Sequence, residues 1–172
     1  MFDYSTADWI FIVFLLVVIY ACVALSAWIQ KKKGGRQMNA VNQVDMKELF
    51  ASVRTIAVVG LSDDPLRPSY GVSAYLQRAG YRVIPVNPSA AEILGEKSYA
   101  SLRDIPEAVD VVDVFRKSEA VGPIAEDAVA IGAKYLWLQE GVINPEAAEK
   151  AARSGVKVVM DKCMLKEHRA IS

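Results

Sequence analysis

An apolar run that stops at Gly60, a Ser/Asp/Pro loop and a short amphipathic pattern closing on Gly80 follow one another in Val53–Gly80, VRTIAVVGLSDDPLRPSYGVSAYLQRAG. Ile56–Val59 is β-branched except for Ala57 and too short for a helix, so it predicts a strand buried on both faces. Gly60 lets the backbone turn sharply or lie against a ligand, Ser69 is the expected N-cap of the following helix, and Gly80 its stop. Free N–H groups at such a helix start form an anion site, although a single glycine is a weak fingerprint beside the three of the dinucleotide motif.

The same strand-then-helix grammar recurs downstream. Tyr81–Val86, Val109–Phe115, Lys134–Leu138 and Val156–Met160 predict four more strands, with helices over about 118–131 and from Asn144-Pro145 to near Gly155. A short helix opens at Asp45, with Glu48 placed for a capping box, and a helical tail starts near Cys163. Ala90–Leu94 is expected to make one helical turn before Gly95. Alternating strands and helices mean βαβ units, hence an α/β, Rossmann-like three-layer domain with a five-stranded parallel sheet. The expected strand order is 3-2-1-4-5, with ligands over the carboxyl ends near the switch between the first and fourth strands.

Ahead of this domain, Trp9–Ile29 is 21 residues without a charge, enough for a transmembrane helix, with Trp9 and Trp28 near its ends. Asp3 and Asp8 precede it and Lys31–Lys33 and Arg36 follow. Positive-inside bias then predicts a single-pass protein of the cell membrane, in contact with the lipid bilayer through residues 9–29, its C-terminal domain in the cytoplasm. The expected organisation is a tail and transmembrane helix over 1–30, a basic polar linker over 31–44 and the nucleotide-binding domain over 45–172.

Outside these flanks 16 Lys+Arg face 18 Asp+Glu, a balance that gives no field for nucleic acid. Two distant cysteines, Cys22 and Cys163, and one histidine, His168, supply neither an internal disulfide nor a zinc ligand set. No nucleophile elbow is present, and Cys163 is read as a structural thiol. Asp110 and Asp113 are three apart on one strand, so they face opposite sides and cannot act as a facing pair of carboxylates.

Gly60-Leu61-Ser62, Asn87-Pro88, Phe115-Arg116 and Gln139-Glu140-Gly141 stand at strand ends where a nucleotide would lie. Asn87 occupies the position at which NAD-binding domains hold an acid for the ribose hydroxyls, which argues against NAD. Arg67, Lys97 and Arg116 are candidate phosphate contacts. A turn former at Asn87 and solvated charges at the basic positions are the plainer alternatives.

The segments IAVVGLSDDPLRPSYGVSAYL, YRVIPVNP, ILGEKSYASLRDIP, VDVVDVFR, YLWLQEGVINPEAA and VVMDKC, within residues 53–168, together resemble the small CoA-binding proteins whose fold matches the CoA-binding domain of the succinate–CoA ligase alpha subunit. That resemblance implies a domain holding coenzyme A or an acyl-CoA. Its ADP end would rest on Gly60, Leu61, Ser62 and Arg67-Pro68-Ser69, with Asn87, Pro88, Lys97, Phe115 and Arg116 lining the adjoining groove. Family members typically lack the segment at 9–29, and no counterpart of the ligase's phosphorylated histidine exists, His168 lying at the extreme end. The resulting expectation is a membrane-anchored, cytosol-facing CoA-binding domain without established chemistry. Its alternatives are an acyl-CoA-using or NAD-dependent enzyme and a nucleotide-sensing scaffold for an unknown membrane partner.

Overall fold

The computed structural model describes residues 16–26 and 41–172. Backbone contacts divide the chain into two units, Met1–Met38 and Asn39–Ser172. In the first, residues 16–26 are helical (α1). At about 1.5 Å per residue these turns reach roughly half of a 30 Å hydrocarbon core. Among the described residues no helix is long and apolar enough to cross a membrane. This corrects the expected transmembrane helix and, with it, the single-pass membrane placement, the bilayer contact and the membrane-anchored reading. The rest of the expected span, 9–15 and 27–29, and most of the basic linker lie outside the described residues.

The second unit contains α2 (Met46–Ser52), β1 (Thr55–Val59), α3 (Pro68–Arg78), β2 (Arg82–Val86), β3 (Glu92–Ile93), β4 (Glu96–Lys97), β5 (Val111–Val114), α4 (Val121–Ala130), β6 (Tyr135–Leu138), α5 (Pro145–Arg153), β7 (Lys157–Val159) and α6 (Met164–Arg169). Five strands form one sheet in the order β2-β1-β5-β6-β7, every pair parallel. The Rossmann-like five-stranded domain is as expected, but its order is not. The third long strand, β5, lies directly against β1, with Ile56 opposite Val111 and Val59 opposite Val114. The expected order would have left this strand at an edge, whereas all four of its residues are buried and need neighbours on both sides. The topological switch therefore falls between β1 and β5.

Alternation along the strands sorts side chains into two cores. Ala57, Val59, Val112, Val114, Leu136 and Leu138 pack with Val121, Ala125 and Ala128 of α4 and Ala147, Ala148 and Ala151 of α5. Ile56, Val58, Val111, Tyr135, Trp137 and Val159 pack on the other face with Leu49 and Phe50 of α2, Val72 and Leu76 of α3, and Met164 of α6.

Local chemistry explains most boundaries. Asp45 caps α2 by accepting from the Lys47 and Glu48 N–H groups, while the Glu48 carboxylate reaches Lys157 at 3.3 Å. Asn144 caps α5 through the Ala147 N–H, with Pro145 next in line. Instead of the expected helical turn at 90–94, a hairpin of β3 and β4 turns through Leu94 (φ 56°) and Gly95 (φ 75°). Two successive positive φ angles suit a tight hairpin, and a leucine in the first position gives no hint of it in sequence.

Candidate functional site

At the carboxyl end of β1 the backbone enters Gly60 with φ 87°. A Cβ there would lie 2.7 Å from the Phe115 carbonyl oxygen and 2.9 Å from Cδ of Arg116. The glycine thus serves two purposes, a left-handed conformation and room for the end of β5 to lie against the turn. Arg116 runs its aliphatic stem across this glycine.

Beyond Gly60 the loop is held by its own polar groups. Leu61 is buried beneath it. The Ser62 N–H donates to Ser69 Oγ at 3.1 Å, Ser62 Oγ accepts from the Asp64 N–H, and Asp64 Oδ1 accepts from the Leu66 N–H. Ser69 therefore ties down the loop and does not cap the helix as expected. The cap position belongs to Arg67, whose side chain makes no capping bond, and Pro68 leads the first turn. An uncapped start on an eleven-residue helix, facing a glycine turn, is a place where backbone donors can meet an anion.

Asn87 lies across the strand ends. Its Nδ2 donates to the Leu61 carbonyl at 2.8 Å, and its Oδ1 accepts from the Ser89 N–H at 2.9 Å. The amide clamps the β1 loop to the β2 loop and uses its acceptor internally, where a free carboxylate would have been available to a ribose diol.

These loops enclose a cleft of about 470 Å³ lined by Gly60, Ser62, Arg67, Pro68 and Ser69 from one side and Asn87, Ser89, Phe115 and Arg116 from the other. That volume is in the usual range for a small-molecule site. A larger hollow of about 560 Å³ along α1, between Leu16 and Val23, is bordered by apolar side chains and has no charged group to orient a polar ligand. Of the residues expected at the site, Leu61 is buried below the cleft, Pro88 is exposed outside its lining, and Lys97 sits on β4 with its Nζ 5.1 Å from the centre of the Tyr99 ring. Ser89, which sequence reasoning missed, joins the lining because its N–H turns back onto Asn87. An Asx turn after Asn87-Pro88 was the available signal.

The positive charge is unevenly placed. Arg67 lies 3.9 Å from Asp64 with 70% of its side chain exposed. Arg116 has no ion-pair partner among the described residues. Its guanidinium is therefore the less committed of the two and is held by its stem against Gly60.

Other chemistry-bearing residues are engaged elsewhere. Asp110 accepts from the Arg54 and Thr55 N–H groups and pairs with Lys134 at 2.7 Å; burial works against its charge, but these partners hold its pKa below the ordinary value. His168 Nδ1 is 2.8 Å from the Tyr75 hydroxyl, its ring packs edge-on against Phe50 and Tyr81, and burial pushes its pKa down. None of these contacts involves Cys163. Asp113, by contrast, is wholly buried. Its carboxylate accepts from Gln139 Nε2 at 2.9 and 3.0 Å, and burial raises its pKa to about 7. Among the described residues no group of three or more His, Cys, Asp or Glu is arranged to hold a metal.

Residues 54–169 match the family described as CoA binding domain. The Bacillus subtilis protein named "Uncharacterized protein YneT" is 41% identical over 131 residues, covering 76% of this chain and 97% of its own. An ADP-forming acetate–CoA ligase II of Archaeoglobus fulgidus is 30% identical over 92 residues, which span 52% of this chain but 14% of the ligase. Among solved structures, a hypothetical protein from Pyrococcus horikoshii superposes with a TM-score of 0.72 at 40% identity, covering 74% of this chain and 89% of that one. The expected relation to CoA ligases thus holds at the level of the superfamily that contains the ADP-forming acetate–CoA ligases, and not specifically of the succinate enzyme's alpha subunit.

Proposed function

We propose, from the premise that this chain belongs to the CoA-binding domain family, that the cleft at the end of β1 holds coenzyme A or an acyl-CoA and serves an acyl-CoA-using reaction of the ADP-forming ligase type. The observation that carries the reading is the pairing of Gly60 with Arg116: a backbone turn bordering the cleft, and an arginine without an ion-pair partner among the described residues whose aliphatic stem lies across that turn. In this reading the diphosphate sits between Gly60–Ser62 and the start of α3, where N–H donors and the helix dipole favour negative charge. Arg116 meets the 3′-phosphate that distinguishes CoA from dephospho-CoA and from NAD, with a planar fork suited to phosphoryl oxygens. Arg67 is the secondary contact because Asp64 already competes for it. Lys97 lies outside the lining of the cleft, with its ammonium over the Tyr99 ring.

Asn87 supports CoA over NAD. An Asn87 side chain occupied by Leu61 and Ser89 offers no carboxylate to a ribose diol. Leu61 and Pro88 act by shaping the two loops rather than by touching the ligand. The ligase relatives extend far beyond the matched portion, so the transfer step is assigned to groups outside this chain's cleft, and the chain supplies the CoA-holding part.

Calorimetric titration of the full chain with CoA, acetyl-CoA, dephospho-CoA and NAD tests this. CoA is expected to bind most tightly, dephospho-CoA more weakly, and Arg116→Ala to erase most of that difference. Tight NAD binding without CoA binding would overturn the proposal.

A further inference from the structure

Asp113 is the one fully buried acidic side chain among the described residues, in the middle of the sheet, flanked in register by Val58 and Trp137. Among the described residues its side-chain partner is Gln139, which stands where β6 gives way to its loop. Gln139 is itself buried and uses both ends of its amide: Nε2 forks onto the two Asp113 oxygens, and Oε1 accepts from the Met164 N–H at 3.4 Å, at the first residue of α6. A forked donor fits a carboxylate, which only accepts. A carboxylic acid instead carries one donor and needs an acceptor for it. Gln139 Oε1 belongs to the amide that already touches both Asp113 oxygens, so a rotation of that amide offers it as the acceptor. An acid–amide ring, with O–H donating to Oε1 and Nε2 donating back, then draws Oε1 towards Asp113 and away from a Met164 N–H that it already holds at the long limit of a hydrogen bond.

We propose that Asp113 and Gln139 form a proton-operated latch on the start of α6: the charged carboxylate leaves Gln139 free to hold Met164, and the neutral acid pulls Gln139 off it. The raised pKa of Asp113 puts the change near neutral pH. No charged group shares the pocket. The causes of the shift are burial, the Gln139 hydrogen bond and the Val114 N–H. Of the titratable groups packed on the same core, Tyr70, Tyr75 and Tyr81 come from α3 and the turn after it, Tyr135 from β6, and Cys163 from the turn before α6. Lys162 pairs with Glu167 and Lys166 with Glu140. His168, on α6 itself, titrates below its ordinary value inside the Phe50, Tyr75 and Tyr81 cluster and so defines a separate, more acidic step.

Trp137 provides the reporter, because its Nε1 donates to the Lys162 carbonyl at 2.7 Å in the turn leading into α6. The test uses the full chain with Trp9 and Trp28 changed to Phe, leaving Trp137 as the single tryptophan. Its fluorescence is expected to follow one sigmoid centred near neutral pH. Over the same range the Met164 amide, corrected for intrinsic exchange, should exchange about fivefold faster on the acidic side, the factor that one net hydrogen bond is worth. Asp113→Asn should lock the fluorescence at its acidic value and flatten both profiles, while His168→Asn should leave the transition in place. Should Asp113→Asn not fold, the Asp113 carboxyl carbon shift in the wild-type chain reports the same titration directly. A pH-independent Met164 amide, a carboxyl that titrates outside the fluorescence step, or a transition that vanishes in His168→Asn and survives in Asp113→Asn would overturn the latch.

Discussion

The ends of β1 and β6 are built from similar materials and used in opposite ways. Each strand stops at a short polar loop on the same rim of the sheet, and each loop is tied by a side-chain amide, Asn87 at the first and Gln139 at the second. At β1 the ties stop short of the ligand groups. The start of α3 has no side-chain cap, Arg116 has no ion-pair partner among the described residues, and a cleft opens. At β6 the polar groups are spent on one another: Gly141 N–H on the Asp161 carboxylate, Ile143 N–H on Ser118, Gln139 on both Asp113 and α6. A rim with donors left over is suited to binding, and a rim whose polar groups are spent on one another is suited to holding the fold. The contrast marks a candidate site by what is unsatisfied rather than by which residue types are present.

The contrast can be broken first at Asp113, where the largest effect is expected. Its folded pKa, about 7, exceeds the unfolded value of 3.8, so its contribution to stability is complete below about pH 4 and is lost as pH rises through 7. At about 1.4 kcal/mol per unit, on the order of 4 kcal/mol is at stake. Urea melts should therefore show Asp113→Asn gaining on wild type at pH 8 and matching it more nearly at pH 4, with CoA affinity unchanged. Global stability and the tie on α6 then move in opposite directions with pH, which a purely structural carboxyl would not produce.

Gly60→Ala attacks the other rim. The added methyl meets the Phe115 backbone and the Arg116 stem and must adopt a positive φ, costing about 2 to 3 kcal/mol of stability. CoA affinity should fall with it, since both walls of the cleft shift. Thermal melts and calorimetry on the same sample separate the two losses.

Arg116→Ala should leave the melt unchanged and weaken CoA by about 1.5 to 3 kcal/mol, the scale of a charge-assisted hydrogen bond, while dephospho-CoA is little affected. Arg67→Ala is expected to cost less than this because Asp64 already shares its charge. The smallest effect sharpens the comparison from the β6 side. Asn144→Ala removes the α5 cap and should cost about 1 kcal/mol in stability with no change in CoA titrations.

Much of the cleft was legible because it is local. Gly60 and Arg67-Pro68-Ser69 sit within one strand–loop–helix unit, and the turn chemistry of adjacent residues is written in consecutive positions. Arg116 was legible because it directly follows a buried strand. What was not legible depended on how a loop or a hairpin folds back on itself. Ser69 resembles an N-cap until the Ser62 N–H claims its hydroxyl, and the β3–β4 hairpin sets Lys97 over Tyr99, outside the lining of the cleft. The uncharged run at 9–29 is a fact of composition, and hydropathy alone did not establish a spanning helix: the helix described covers 16–26.

By itself the sequence determined the alternation of strands and helices, the parallel sheet and the glycine turn at its rim. All of these follow from periodicity and from the allowed dihedrals of single residues. Only the tertiary structure decided that β5 lies beside β1, and hence that Arg116 crosses Gly60. Only there does Asp113 find Gln139 and does Gln139 reach α6. The physical reason is that strand order and buried polar pairing depend on contacts 25 or more residues apart, whose energy a local pattern does not encode.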